Sequence, residues 1–128
     1  MNFVFPQKIL FRHCDPAGMV FYPRYFELIN DCVEAFFEQK LGLPYDKLHE
    51  QNAIPTVEIT TQFKAPSRLG DEIAITLANT RIGCSSMDLS FVATCGDETR
   101  FEARSTLVFV NSEGRSTGWP ETVLKALN

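Results

Sequence analysis

The chain has 128 residues and a formal net charge of -4, with 45% hydrophobic and 22% charged residues. This length predicts one domain over residues 1–128, large enough to bury a core without a metal or a disulfide. Because the charges are scattered and no apolar stretch reaches the length of a membrane span, we expect neither a nucleic-acid partner nor a membrane partner.

The first part of the chain predicts a strand, a turn and a long helix. The strand is expected over residues 5–12, where Pro6 suits a strand start or a sheet edge. Residues 14–18 are expected to turn, because proline and glycine interrupt the chain there. Apolar residues then recur at helical spacing over residues 23–41, and Pro23 fits the first position of that helix.

The rest of the chain alternates at period two, which predicts strands. We expect four of them, over residues 57–63, 73–77, 87–95 and 101–109, followed by a short closing helix over 119–128. Short connections favour an antiparallel sheet. The pattern predicts an α+β fold in which an antiparallel sheet of about five strands wraps around one long central helix, one candidate among several such folds.

The four cysteines show neither CxxC pairing nor zinc-finger spacing with a histidine. We interpret them as reduced thiols, and we expect no metal site. The first eleven residues also lack the charged, apolar and cleavage segments of a secretory signal. These features together predict a cytoplasmic protein.

Few side chains could carry covalent or acid–base chemistry. No nucleophile elbow, phosphate-binding loop or zinc-protease motif is present. His49 lies in a polar stretch and is interpreted as a solvated loop residue. His13 borders the turn, and it either lies near a site or is a strand-end histidine bonded to the backbone. Cys14 adjoins an anion, Asp15, which disfavours a thiolate nucleophile, so we interpret it as packed.

Asp15 lies in the turn just upstream of the long helix. A helix start offers unpaired N–H groups and a partial positive charge, which can hold a carbonyl and stabilise an oxyanion. A carboxylate across that carbonyl could attack the carbon or activate a water. The alternative is an aspartate that only caps the turn or the helix, and spacing alone favours this alternative.

A family resemblance reverses that preference. Residues 11–25 read FRHCDPAGMVFYPRY, which closely resembles the signature of 4-hydroxybenzoyl-CoA thioesterases and of the wider YbgC-like acyl-CoA thioesterase family. The similarity continues to residues 42–44. Two looser similarities are FKAPSRLGD over residues 63–71 and RIGCSS over residues 81–86.

The resemblance implies a hot-dog fold whose subunits pair edge to edge, usually as a dimer of dimers, with acyl-CoA threading between subunits. By position, Asp15 takes the place of the catalytic aspartate. Tyr22 takes the place of the residue whose backbone N–H polarises the thioester carbonyl. Gly18 would allow a close backbone approach, or it could simply satisfy a turn with positive φ. No cofactor is implied, since CoA enters as part of the substrate.

The resemblance also suggests substrate-binding positions. Pro23 follows Tyr22, as in the 4-hydroxybenzoyl type, whereas YbgC-like enzymes commonly have a histidine there. Asn30 stands where 4-hydroxybenzoyl enzymes have an acidic residue, so it supplies a hydrogen bond but no charge. The candidates for the CoA phosphates are Lys64, Arg68, Arg81, Ser85 and Ser86.

The expected function is hydrolysis of an acyl-CoA thioester, with Asp15 as nucleophile or general base. An aromatic, benzoyl-type acyl group and a short or medium chain are both compatible with the sequence. One alternative is a thioesterase that acts on an acyl carrier protein. Another is a non-catalytic module that binds acyl thioesters. A dehydratase is disfavoured because no histidine occupies the helix start.

Overall fold

The computed structural model of the chain describes residues 2–127. Its strands are β1 (Asn2–Lys8), β2 (Thr56–Phe63), β3 (Glu72–Ile82), β4 (Ser86–Cys95) and β5 (Glu98–Val108), and its helices are α1 (Pro23–Gln39), α2 (Tyr45–Leu48) and α3 (Glu121–Leu127). All strand pairs are antiparallel, in the order β1-β3-β4-β5-β2. The predicted five-stranded antiparallel sheet and long helix are confirmed.

The core lies between α1 and one face of the sheet. Seven of the seventeen residues of α1 are buried, and they fall at the predicted apolar positions from Tyr25 to Phe37. The inner faces of β3, β4 and β5 supply every second residue, such as Leu77, Phe91 and Phe101. The opposite face of α1 is polar and exposed, so in one chain the sheet covers only one side of the helix.

The first strand differs from the prediction of residues 5–12. It runs over Asn2–Lys8, and residues Phe11–His13 form a 3-10 turn. Pro6 lies inside the strand, which is tolerated because β1 is an edge and needs no outward N–H. The strand ends early because the Leu10 N–H donates to Nδ1 of His13, 2.9 Å away, which turns the chain out of the sheet.

The other boundaries move by at most three residues, except that β3 continues to Ile82, five residues beyond the predicted end. The long helix ends at Gln39 rather than at residue 41. The closing helix is confirmed as Glu121–Leu127, while residue 128 of that prediction lies outside the described residues. Helix α2 was not predicted. Among the described helices, none is long and apolar enough to span a membrane.

The two edges of the sheet differ in character. β1 has Pro6 and ends in Lys8, residues that discourage pairing with another strand. β2 instead exposes apolar side chains, with Ile59 39% and Phe63 49% accessible. It also has a bulge between Thr56 and Glu58. An apolar free edge of this kind is open to a further strand.

Candidate active site

Asp15 stands at the tip of a small hairpin that leads directly into α1. Cys14 pairs with Val20, and the Asp15 N–H donates to the Met19 carbonyl at 2.9 Å. The Gly18 N–H closes the turn on the Asp15 carbonyl at 2.9 Å. This ladder fixes where the Asp15 side chain leaves the backbone.

Only one oxygen of the Asp15 carboxylate accepts a hydrogen bond from the described chain. Its Oδ1 accepts the Ala17 N–H at 2.9 Å, so the residue does cap its turn. Its Oδ2 has no hydrogen-bond partner among residues 2–127, and the side chain is partly exposed. Turn capping and a catalytic role are therefore compatible, because one oxygen orients the carboxylate while the other has no partner among residues 2–127.

The start of α1 offers one N–H group to a ligand. The Phe21 N–H donates to His13, Arg24 donates to Phe21, and Tyr25 donates to Tyr22. Pro23, the first helical residue, has no N–H. From Phe21 to Tyr25, the Tyr22 N–H is the one that has no acceptor among residues 2–127. The spacing of the sequence predicted only that the helix start offers N–H groups. The unpartnered N–H in the structure belongs to Tyr22, the residue that the family resemblance indicated.

Gly18 adopts φ +81, and a Cβ there would meet no atom of the chain within 4 Å. The positive φ, rather than crowding inside the subunit, is therefore the reason for glycine at this position. The close backbone approach that the resemblance implies stays a prediction.

The two other reactive candidates near the turn are engaged locally. His13 is buried, and its Nδ1 accepts the Leu10 N–H, as in the backbone-bonded alternative. Burial, followed by the charge of Arg12, lowers the pKa of His13. The Cys14 thiol points to the Leu10 carbonyl at 3.6 Å and packs against the core. His49 is exposed, as predicted.

Two cavities follow the seam between α1 and β2. The first, about 530 Å³, lies at the start of α1 and includes Tyr22, Tyr25, Phe63 and Lys64. The second, about 340 Å³, lies farther along the helix and includes Asn30. The predicted substrate position Asn30 is exposed and lines this second cavity. Both cavities are mainly apolar, and Tyr22 is among the residues that line the first one.

The phosphate candidates fall into two groups at opposite ends of the sheet. Lys64 and Arg68 lie near the Asp15 turn, where Arg68 pairs with Met19. Lys64 is 3.5 Å from Glu102, and both are exposed. Arg81 lies among the last residues of β3, next to the turn, and Ser85 and Ser86 lie where the chain turns into β4. Strand β3 has eleven residues, a length of about 36 Å.

Sequence reasoning missed an ion pair that anchors the site. Arg100 of β5 donates from Nη1 to Asp71 Oδ2 at 2.7 Å and to the Ser67 hydroxyl at 3.2 Å. The Ser67 carbonyl in turn accepts the Val20 N–H at 2.9 Å. The Arg100 hydrogen bond holds the pKa of Asp71 below its usual range. Nothing in the sequence marks Arg100 as important, because it is one charged residue in a strand. Asp71, however, is the last residue of the motif FKAPSRLGD over residues 63–71.

Arg100 Nε also lies 2.7 Å from Glu98 Oε1, but it has no partner at hydrogen-bond geometry. We therefore count the bond to Asp71 as the organising contact and Glu98 as a nearby charge. Among residues 2–127, no group of His, Cys, Asp or Glu side chains could hold a metal ion.

Comparison with known proteins matches this arrangement to a family. A family model described as the thioesterase-like superfamily matches residues 9–127. The 1,4-dihydroxy-2-naphthoyl-CoA hydrolase of Nostoc punctiforme is 22% identical over 117 residues, covering 91% of this chain and 79% of that protein.

Solved structures agree with the fold. The 1,4-dihydroxy-2-naphthoyl-CoA thioesterase from Synechocystis has a TM-score of 0.91 at 17% identity, covering 99% of this chain and 96% of that one. A mutant 4-hydroxybenzoyl-CoA thioesterase complexed with 4-hydroxybenzoyl-CoA has a TM-score of 0.86 at 22% identity, covering 99% of each chain. The predicted hot-dog fold is confirmed.

Proposed function

This chain belongs to the thioesterase-like superfamily of thioester hydrolases, and we propose that it cleaves an acyl-CoA to a free acid and CoA with Asp15 as its catalytic carboxylate. One observation carries this proposal: a carboxylate with an unengaged oxygen and the unpartnered Tyr22 N–H stand at the two ends of one short hairpin-to-helix segment. These are the two groups that acyl transfer needs.

The chemistry follows from those two groups. The Tyr22 N–H, at the positive end of the α1 dipole, would bind the thioester oxygen and stabilise its negative charge as the carbonyl carbon becomes tetrahedral. Asp15 would either attack that carbon, expelling CoA thiolate and leaving an anhydride that water hydrolyses, or deprotonate the attacking water. Both routes give the same products and need no cofactor.

The acyl group would lie in the seam between α1 and β2. The seam is mainly apolar, so it suits a benzoyl-type group or a short to medium chain. The names of the related hydrolases, which act on hydroxylated aromatic acyl-CoAs, favour the aromatic class. Asn30 replaces a charge with an amide at the seam, so the distal end of the acyl group would be uncharged.

The CoA site would be completed by a second copy of the chain. Lys64 and Arg68 lie at the Asp15 end of the sheet, about 36 Å along β3 from Arg81, Ser85 and Ser86. Two β2 edges related by a two-fold axis pair antiparallel, which brings the far end of one sheet beside the near end of the other. The two sets of candidate phosphate-binding residues, one from each subunit, could then bind the same CoA molecule.

The β2 edge is the favoured interface for this dimer. It exposes Val57, Ile59 and Phe63, while the β1 edge is protected by proline and lysine. Tyr22, just before α1, contacts Phe63 with ring centroids 6.0 Å apart, and exposed Phe26 of α1 lines a cavity together with Ile59. Two such dimers would form the expected dimer of dimers.

The four free cysteines fit the reducing cytoplasm, where we place the protein.

The test is release of free thiol across a panel of acyl-CoAs, comparing wild type with Asp15→Asn. The panel contains benzoyl, hydroxybenzoyl, phenylacetyl, short-chain and long-chain members. We expect hydrolysis by wild type and a loss of at least about a hundredfold in kcat for the variant. Asp46→Asn, an exposed aspartate in α2, is the matched control and should keep full activity.

Two other outcomes would redirect the proposal. If folded wild type hydrolyses acyl groups on an acyl carrier protein but not on CoA, the donor is wrong and the chemistry stands. If wild type and Asp15→Asn bind non-hydrolysable acyl-CoA analogues equally and neither releases thiol, the chain is an acyl-thioester-binding module.

A further inference from the structure

The chain between β2 and β3, residues 64–71, makes several contacts with Arg100 of β5. We refer to these residues as the β2–β3 connection. The Arg100 carbonyl accepts the Lys64 N–H at 2.9 Å and the Ala65 N–H at 3.1 Å. Because these two bonds use the backbone, the start of the connection is tied to β5 whatever side chain stands at position 100.

The Arg100 side chain holds the rest of the connection. Its Nη1 donates to the Pro66 carbonyl and to the Ser67 hydroxyl, both at 3.2 Å, and to Asp71 Oδ2 at 2.7 Å. The Arg100 side chain is only 11% exposed, and Ser67 is fully buried. Hydrogen bonds from a charged donor are stronger than those between neutral groups. One shielded cation therefore joins Pro66, near the start of the connection, to its last residue, Asp71.

The connection also pairs with the hairpin that carries Asp15. The Val20 N–H donates to the Ser67 carbonyl at 2.9 Å, and the Leu69 N–H donates to the Gly18 carbonyl at 3.1 Å. The hairpin residues in these two bonds lie between the carboxylate and the N–H group of the proposed reaction. The position of the hairpin therefore depends on the shape of the connection.

The same connection forms one wall of the first cavity. Lys64, Ala65 and Pro66 line this cavity together with Tyr22. A thioester bound there would lie between a wall and a hairpin that both contact the part of the chain held by Arg100. Misplacement of reacting groups by about 1 Å can cost about a hundredfold in rate. Arg100 itself does not line the cavity, so it can affect the reaction only through other residues.

We propose that Arg100 is a positioning residue for the thioesterase reaction: through Ser67 and the β2–β3 connection, it keeps the Asp15 hairpin aligned with the first cavity. The proposal rests on the proposed function, because this alignment matters for catalysis only if Asp15 and the Tyr22 N–H act on a bound thioester. Loss of the Arg100 side chain lowers kcat more than it changes KM, because the substrate still binds while the reacting groups are misaligned.

The first test is thiol release by Ser67→Ala and Arg100→Met, using the member of the acyl-CoA panel that wild type hydrolyses fastest. Ser67→Ala removes one hydroxyl and leaves the bond between Arg100 and Asp71. We expect kcat to fall about 3- to 10-fold in Ser67→Ala and at least about tenfold in Arg100→Met, with KM changed less than about twofold. Unchanged kcat in both folded variants would overturn the proposal.

The double variant tests the route through Ser67. If Ser67 acts through Arg100, adding Ser67→Ala to Arg100→Met should lower kcat by less than about twofold further. Losses that multiply in full would show that the two residues act separately, which would overturn this route.

Two control variants separate positioning from general loss of stability. Ser90→Ala is matched to Ser67→Ala, because Ser90 is a half-buried serine of β4 whose side chain lies on the other face of the sheet. Gly114→Ala destabilises a turn outside the hairpin and the connection, since its φ of +79 is unfavourable for alanine. Both should keep kcat within about twofold of wild type. If Gly114→Ala loses as much kcat as Arg100→Met, stability alone sets the rate and the proposal is wrong.

Amide hydrogen exchange, followed by NMR without substrate, separates this proposal from the proposed function. We expect the Val20 and Leu69 N–H groups to exchange at least about tenfold faster in Arg100→Met than in wild type, and less than about twofold faster in Gly114→Ala. If wild type hydrolyses no thioester, the proposed function fails, and the exchange rates still show whether Arg100 holds the hairpin. Equal exchange in the two variants would overturn that role.

Discussion

At the scale of single residues, the two groups of the proposed reaction differ in how far the sequence predicts them. Asp15 was singled out by a resemblance, since spacing alone favoured a turn cap, and the structure shows that it is a turn cap with one oxygen to spare. The Tyr22 N–H could not be derived from residue types, because every residue but proline has an N–H. The same resemblance indicated this residue, and matching the neighbouring donors with their acceptors shows that its N–H has no partner among residues 2–127.

His13 gives a prediction about stability at low pH. Its buried Nδ1 accepts the Leu10 N–H, which a protonated ring could not do, and its pKa is lowered. The unfolded chain therefore binds more protons than the native protein between the native pKa and the ordinary value of about 6.5. The free energy of unfolding should fall as pH decreases through 6.5 and level off below the native pKa.

His13→Phe should remove this part of the pH dependence and cost about 1–3 kcal/mol at neutral pH, because the Leu10 N–H loses its acceptor. Urea unfolding at several values of pH between 5 and 8 measures both effects. An identical slope in wild type and variant would show that His13 is not the group responsible.

At the scale of elements, the hairpin that presents Asp15 depends on a glycine. Gly18→Ala should cost about 1–2 kcal/mol, because φ of +81 is unfavourable for alanine. Gly114 is a matched control: its φ is +79, and a Cβ there also meets nothing within 4 Å. Both variants should lose similar stability in urea unfolding, but only Gly18→Ala should lower kcat, by tenfold or more, since it displaces the carboxylate. Equal kcat in the two variants would contradict this role for the turn.

The Arg100–Asp71 pair gives a second prediction at this scale. Their side chains are only 11% and 29% exposed, and they connect β5 to the segment that pairs with the Asp15 hairpin. Arg100→Met should lower the free energy of unfolding by about 2–3 kcal/mol, because it leaves a shielded carboxylate without its partner.

Lys47→Met is the control, since the Lys47–Glu50 pair is 66% and 63% exposed and should contribute less than about 0.5 kcal/mol. Urea unfolding measures both variants side by side. Losses of equal size would mean that the pair at Asp71 does not anchor the segment.

The elements that the sequence predicts best are those whose pattern is set by the core. Helix α1 was predicted to within two residues, because its buried positions repeat without interruption. The first strand was misplaced, because its end depends on a contact between Leu10 and a histidine ring three residues later. Helix α2 is too short for its periodicity to be recognised, and Ser105 departs from the apolar alternation of β5 without revealing what it faces.

At the scale of the whole molecule, three features of the described chain bear on the proposed assembly. The helix leaves one face exposed, the β2 edge is apolar, and the phosphate candidates are divided between two ends of the sheet. The sequence alone does not reveal this division, because a motif does not indicate at which end of the sheet its residues lie. Antiparallel pairing of two β2 edges, as proposed above, would cover the apolar edge and bring the two groups of candidates closer together, while the polar face of α1 can remain in solvent.

This arrangement predicts that activity depends on the β2 edge. Val57 on β2 and Val4 on β1 are exposed valines, 60% and 55% accessible, each on an edge strand. Val57→Lys should weaken the dimer, because lysine on a pairing edge opposes a second strand, and Val4→Lys should not. Sedimentation or light scattering gives the mass, and thiol release gives kcat/KM over a range of protein concentration. We expect Val57→Lys to lose mass and at least about tenfold in kcat/KM together, with activity returning as concentration restores the dimer. A monomer that keeps full activity would show that one chain holds the whole site.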